Sequence, residues 1–330
     1  GGVLIPVAMY LFLNRDPDLV GGWGVPMATD IAFALAILSL LGNRVPLSLK
    51  IFLTAFAIID DIAAVLVIAV FYSGNIDWML LLYALVIIGV LTALSLINKY
   101  SKMVSILAAI IVWFLFLKAG IHPTIAGVLM AFTIPIRKKV KLSDYSENLA
   151  GISDRLVSSS RTNDDVILTK EQLEQIDSLE DLTFQVRSPL QHLEHKLHNW
   201  AGYFILPIFA LANAGVVIST DSVFDETLIF NIAVALFAGK FIGIALLSYL
   251  GIKFKIAELP TGVRFVQILG IAAIAGVGFT MSIFIGNLAF AEDQVHINSV
   301  KVGIIIGSLI AGLIGYLLLR FSSNKTSPAS

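Results

Sequence analysis

The sequence contains no cysteine. Disulfide bonds, thiol nucleophiles and thiolate-held metals are therefore excluded. Charge is also scarce: only 14% of the 330 residues are Asp, Glu, Lys or Arg. A soluble globular domain uses about 25% charged residues to cover its surface, so this chain is too poor in charge for a soluble domain of its length. Neither sign dominates, because the net charge is −1, and that balance excludes a polybasic surface for nucleic acid. What is abundant is apolar character, at 58% of residues and a mean hydropathy of +0.90. The apolar runs have to face lipid.

A helix that crosses a bilayer needs roughly 20 largely apolar residues. Nine stretches meet or nearly meet that length, at 22–42, 46–72, 77–98, 104–120, 122–136, 198–218, 226–252, 264–291 and 297–320. The chain is thus expected to be an all-α polytopic membrane protein. Residues 1–13 are apolar but too short to span, and they read as the end of a helix that begins upstream. The loops alternate in charge. Arg44, Lys99, Lys102, the run Arg137, Lys138, Lys139 and Lys141, then Lys253, Lys255, Arg264, Arg320 and Lys325 fall on one side. Asp16, Asp18, Asp77, Asp221, Asp225, Glu226, Glu292 and Asp293 fall on the other, with only Arg15 and Lys118 nearby. By the positive-inside rule the basic side is cytoplasmic.

The expected organisation is a membrane part over 1–136, a cytoplasmic polar connector over 137–197, a second membrane part over 198–321 and a cytoplasmic tail over 322–330. In the connector, LSDYSENLAGISDRLVSSSRTNDD is rich in Ser, Asn and Asp and reads as flexible. The following TKEQLEQIDSLEDLTFQV has Thr169 and Gln172 at capping-box spacing and predicts a short helix. A second short helix is expected over 189–198.

Charges inside spans are costly and usually face a cavity or a partner. Four are found: Asp30, Asp60, Asp61 and Lys240. Lys50 and Lys301 lie near span ends, where their side chains can snorkel. At a rise of about 1.5 Å per residue, the four interior charges fall at one depth, near the bilayer midplane. One lysine cannot neutralise three carboxylates, so a proton or a metal ion is expected to complete the set. Two spans also carry mid-span breakers. One has Pro26 followed by Thr29 and Asp30, and the other has Gly276 and Gly278 followed by Thr280 and Ser282. Unwound backbone at that depth has to be buried in protein or line a cavity. Broken helices expose partly positive N-terminal ends and partly negative C-terminal ends; Asp30 is expected to offset the former and Lys240 the latter.

The blocks ATDIAFALAILSLLG (28–42), LKIFLTAFAIIDDIAAVLVIAVFY (49–72), LKAGIHPTIAGV (117–128), LEHKLHNW (193–200), LPIFALANAGV (206–216), GKFIGI (239–244) and GVGFTMSIFI (276–285) closely resemble the NhaA family of bacterial sodium/proton antiporters. The resemblance runs along nearly the whole chain. It implies an inverted-repeat antiporter fold with two discontinuous helices crossing at the membrane midplane, matched here by 22–42 and 264–291. It implies that Asp60 and Asp61 bind Na+ and exchange protons, that Thr29 and Asp30 form the polar break, and that Lys240 pairs with Asp60. Gly276, Gly278 and Thr280 match the second break. The chain lacks about two and a half helices with which members of the family begin, including the hairpin that forms their dimer, and is N-terminally truncated relative to them. Its segment 137–197 is longer than the matching loop.

The expected activity is therefore exchange of cytoplasmic Na+ or Li+ for external H+, electrogenic, serving Na+ and pH homeostasis in a bacterial inner membrane. It is not an enzyme and needs no cofactor. The partners are Na+, Li+, H+, the lipid bilayer and, for a homodimer, a second copy of the chain. A sodium-coupled symporter of related fold and an intramembrane aspartyl protease are the alternatives. The protease needs two carboxylates facing each other from different helices, whereas Asp60 and Asp61 are neighbours on one. Weaker candidates, for a response to pH, are His122, at a helix junction on the acidic side, and Glu194, beside His195 and His198. Asn213 is read as a helix–helix hydrogen bond, and Gly303 with Gly307 as a GxxxG packing motif.

Overall fold

A computed structural model of the chain describes residues 1–74, 76–97, 99–136, 142–160, 169–186, 188–215, 223–260 and 262–322. The basic run 137–141, Asp221, Lys325 and the tail 323–330 lie outside the described residues. Among the described residues the regular structure is entirely helical. In chain order the helices are α1 Leu4–Leu13, α2 Pro17–Val20, a 3-10 stretch Gly21–Met27, α3 Ile31–Leu40, α4 Leu47–Phe71, α5 Trp78–Leu96, α6 Lys102–Lys118 and α7 Thr124–Phe132. Then follow α8 Leu142–Ser160, α9 Lys170–Val186, α10 Pro189–Trp200, a π turn Ala201–Ile205 and α11 Leu206–Ala214. The last are α12 Glu226–Val234, a π turn Ala235–Gly239, α13 Lys240–Lys253, α14 Phe265–Ile274, α15 Phe279–Ala289 and α16 Gln294–Ser322.

By length and apolar composition, α4, α5, the continuous α12–α13 and α16 can each cross a membrane. Two further pairs can do so as bent units: α2 and the 3-10 stretch with α3, bent by 48°, and α14 with α15, bent by 44°. The other three expected spans are helical but shorter. The helix in 104–120 has 17 residues and that in 122–136 has 9, while the described part of 198–218, residues 198–215, divides into the end of α10, a π turn and a 9-residue α11.

The described residues form two compact units. The first combines residues 1–74 with 205–330 and holds α1–α4 and α11–α16. In it α4 runs 25 residues without Gly or Pro and buries one stripe, Leu49, Leu53, Ala57, Asp60, Ala64 and Ile68. Steps of three and four residues keep these on a single helix face. Asp60 thus occupies a core position, while Ile51, Ile58, Ile62 and Leu66 stay exposed, as lipid-facing side chains do. The long α16 packs through small residues. A Cβ at Gly303 would stand 2.7 Å from the Ile229 carbonyl, one at Gly307 3.1 Å from Ala233, and one at Gly315 2.8 Å from the Ile274 nitrogen. The GxxxG pair therefore lets α12 approach α16 at backbone distance. Lys301, expected to snorkel, is instead 9% exposed and donates to the Gly215 carbonyl at 2.9 Å, where α11 ends. Asn213 does link helices: its side-chain oxygen accepts from Asn287 of α15 at 3.3 Å.

The second unit spans residues 75–204. The expected capping box at α9 is present, with Thr169 N–H on Gln172 Oε1 at 2.9 Å and Gln172 N–H on Thr169 Oγ1 at 3.3 Å. The expectation of flexibility at 142–160 is corrected, because this stretch is α8. Tyr145, Leu149 and Ile152 recur at helical spacing, Ile152 is buried, and Tyr145 Oη meets Thr183 Oγ1 of α9 at 3.3 Å. Packing against α9 outweighs a composition that by itself favours disorder.

Candidate functional site

Every residue of the central charge cluster lies in the first unit. Residues Ala28 and Asp30 are extended between the 3-10 stretch and α3, with ψ of 149° and 97°. Pro26 sits inside the 3-10 stretch rather than at the break. The second interruption, Ala275 to Gly278, continues in tight right-handed turns; Gly278 has φ −96°. Glycine is needed there for space rather than for a positive φ. A Cβ at Gly278 would stand 2.9 Å from Leu236 Cδ1, and one at Gly276 3.0 Å from Ala311 Cβ. The two interruptions touch, because the Asp30 N–H donates to the Val277 carbonyl at 2.7 Å.

Lys240 begins α13 directly after the π turn and is fully buried. Its ammonium has three protons and meets three oxygens: Asp60 Oδ2 at 2.5 Å, the Met27 carbonyl at 2.5 Å and Thr29 Oγ1 at 2.8 Å. Thr29 Oγ1 in turn lies 3.0 Å from Asp60 Oδ2 and 3.1 Å from the Ala275 carbonyl, and its single proton serves one of them at a time. The backbone of Gly2 closes on Asp60 as well, for a Cβ there would be 3.0 and 3.2 Å from its carboxylate oxygens. Asp60 is thus a buried carboxylate with an ion pair on one side and glycine backbone on another.

Asp30 answers both interruptions. Its Oδ1 caps α3 by accepting from Phe33 N–H at 3.2 Å, and its Oδ2 accepts from the Thr280 N–H at 3.1 Å and the Thr280 hydroxyl at 2.5 Å. The acid serves the positive N-terminal ends of both α3 and α15, and the base serves the negative C-terminal end at Met27. The reason is polarity: a carboxylate accepts only and a lysine donates only, so each gathers to one kind of helix end, not to one break.

Asp61 is one residue on from Asp60 and leaves the core stripe. Its Oδ1 is buried and makes no hydrogen bond with any described residue. A buried acceptor without a partner costs about 1–3 kcal/mol, more when charged. A proton or a hard cation at that oxygen removes the cost. No group of three or more His, Asp or Glu able to hold a resident metal occurs among the described residues. An apolar groove of about 510 Å³ runs along Phe33, Val277, Phe279, Ser308, Gly312 and Tyr316, and neither Asp60 nor Asp61 lines it.

His122 and Glu194 belong to the second unit. His122 Nδ1 is 2.9 Å from Thr124 Oγ1 at the start of α7. Glu194, His195 and His198 are exposed on α10. Sequence reasoning missed the Met27 and Ala275 carbonyls, which carry no side-chain signature, and the π turn at Ala235–Gly239. Gly239 beside Lys240 was the available signal for the last: a Cβ there would stand 2.6 Å from Pro6 of α1.

A model of the family described as Na+/H+ antiporter 1 matches residues 1–319. The protein named Na(+)/H(+) antiporter NhaA of Wolinella succinogenes is 41% identical over 330 residues, covering 98% of this chain and 73% of the relative. The protein of the same name from Oleidesulfovibrio alaskensis is 44% identical over 322 residues, covering 97% of this chain and 71% of the relative. Na(+)/H(+) antiporter NhaA 1 of Psychromonas ingrahamii is 43% identical over 327 residues, covering 97% and 73%.

Proposed function

The chain belongs to the Na+/H+ antiporter 1 family, and from that premise we propose how its membrane aspartates exchange the two ions. It is a membrane transporter, not an enzyme, and Na+ and H+ are its transported substrates. The carrying observation is the contrast between two neighbours: Asp60 Oδ2 is engaged by Lys240 and Thr29, whereas Asp61 Oδ1 is buried without a partner among the described residues.

A carboxylate oxygen takes either a proton or a hard cation, and the two exclude each other at one position. That competition gives antiport when the site opens to one side at a time. In this scheme Asp61 contacts the ion directly. Asp60 alternates between its ion pair with Lys240 and a state open to Na+. Asp30 and Thr280 hold the two interruptions together, and Thr29 ties Asp60 to the second. The two bent pairs are read as discontinuous helices crossing at the midplane of an inverted-repeat fold. The basic loops put the connector and the C-terminus in the cytoplasm of a bacterial inner membrane. Cytoplasmic Na+, or Li+ in its place, leaves as more than one external proton enters, which makes exchange electrogenic. His122 and Glu194 are proposed to act on the pH response, and two copies of the chain are proposed to associate as a dimer.

In proteoliposomes, Na+ should dissipate an imposed pH gradient, and Asp60→Asn and Asp61→Asn should each abolish this. Full exchange by Asp61→Asn would overturn the assignment. A sodium-coupled symporter would need an organic substrate, so dissipation by Na+ alone separates the two activities.

A further inference from the structure

A helix start leaves its first N–H groups without intrahelical partners, and a side chain at the cap position usually accepts one of them. The cap position of α15 is Gly278, which has no side chain to offer. It cannot acquire one cheaply, because a Cβ would press on Leu236 and on Ser282. The acceptor comes from another helix. Ser308 Oγ receives the N–H groups of both Gly278 and Phe279, at 3.3 Å each. The next N–H, that of Thr280, goes to Asp30 at 3.1 Å. The start of α15 is therefore shared between Ser308 and Asp30.

Ser308 is buried and stands within α16, a helix with no interruption of its own. α16 is anchored on both α12 and α14 at near-backbone distance, so it offers a fixed support. Phe279 also meets Phe33 of α3, with ring centroids 4.8 Å apart. Losing the Ser308 hydroxyl would leave two adjacent donors unanswered beside the carboxylate that bridges both interruptions.

We infer that Ser308 is a positioning residue of the exchange site: its hydroxyl supplies from α16 the cap that Gly278 lacks, and so sets the register in which Thr280 grips Asp30. The inference rests on the exchange reading above, in which Asp30 and the second interruption belong to the site. Ser308 contacts neither Asp60 nor Asp61 through any hydrogen bond among the described residues. Its loss therefore acts on the rate at which the interruptions rearrange and not on ion contact.

The test compares wild type, Ser308→Ala, Ser308→Cys and Ser308→Thr in proteoliposomes, with rates expressed per folded, monodisperse transporter. Ser308→Ala should lower the maximal Na+/H+ exchange rate about three- to thirty-fold, the range of one lost helix cap, with a much smaller change in the KM for Na+. Ser308→Cys, a weaker acceptor of similar shape, should fall between, and it gives the same reading if the alanine variant does not fold. Ser308→Thr keeps the hydroxyl and should recover most of the rate. Wild-type rates per folded molecule in both Ser308→Ala and Ser308→Cys would overturn the inference, as would a low rate that Ser308→Thr does not rescue. Wild-type vesicles in the same set separate the two readings. If they show no exchange, the exchange reading fails; if they exchange and the serine variants match them, only the assignment of Ser308 falls.

Discussion

Lys240 has three acceptors for three protons, and one of them is a main-chain carbonyl. Replacing it by alanine strips Asp60 of its counter-charge and leaves the Met27 carbonyl and Thr29 hydroxyl short of a donor. Breaking a buried pair from one side costs about 3–5 kcal/mol, and Lys240→Ala should lower the stability of the purified transporter by that order. The penalty should be partly relieved when Asp60→Asn is added, since the uncompensated charge is then gone. A double-mutant cycle from denaturation in detergent measures this coupling. A second substitution that made matters worse would mean that loss of Lys240 does not leave Asp60 as an uncompensated charge. At this scale the sequence was highly legible. An Asp or Lys inside an apolar run stands out because its burial is costly, and Asp30, Asp60, Asp61 and Lys240 could be singled out without coordinates. Their partners could not. Thr280 lies 250 residues from Asp30, and backbone carbonyls have no letter in the sequence.

The helical elements divide into those that carry the site and those that frame it. α4 carries Asp60 because the acid falls on its buried stripe, and Asp61 follows at the stripe's edge. The two interruptions depend on glycine and proline in different ways. Pro26 shapes a 3-10 stretch, whereas Gly278 makes room. Gly278→Ala has to displace Leu236 or Ser282 and should cost about 1–3 kcal/mol. Gly89 of α5 is the contrast, because a Cβ there meets nothing within 4 Å. Gly89→Ala should stabilise by up to about 1 kcal/mol through helix propensity alone. Thermal unfolding of the two variants side by side tests the distinction; equal effects would show that space at Gly278 is not what selects glycine. Element reading from sequence succeeded where a local rule sufficed, as with the capping box of α9. It failed at α8, where Ser, Asn and Asp suggested disorder but the apolar residues had a helical period and a partner to bury them. It also missed the π turn before Lys240, where Gly239 lies against Pro6 with no room for a Cβ.

Across the whole molecule, the compact unit that holds the cluster joins the first 74 residues to the chain from 205 onward. The sequence suggested divisions at the polar connector, because a change in composition is visible and a tertiary contact is not. The surplus of negative charge was visible: three membrane carboxylates stand against one lysine. That surplus is the centre of the account, in which a cation completes the set and, as proposed above, H+ and Na+ alternate at Asp61. The direct measurement is proton release on Na+ binding to the detergent-purified transporter, in weak buffer near neutral pH with a pH-sensitive dye. Added Na+ should release protons from the wild type, K+ at the same ionic strength should not, and Asp61→Asn should release none. Undiminished release from Asp61→Asn, or no release from an active wild type, would contradict competition between Na+ and H+ at this carboxylate.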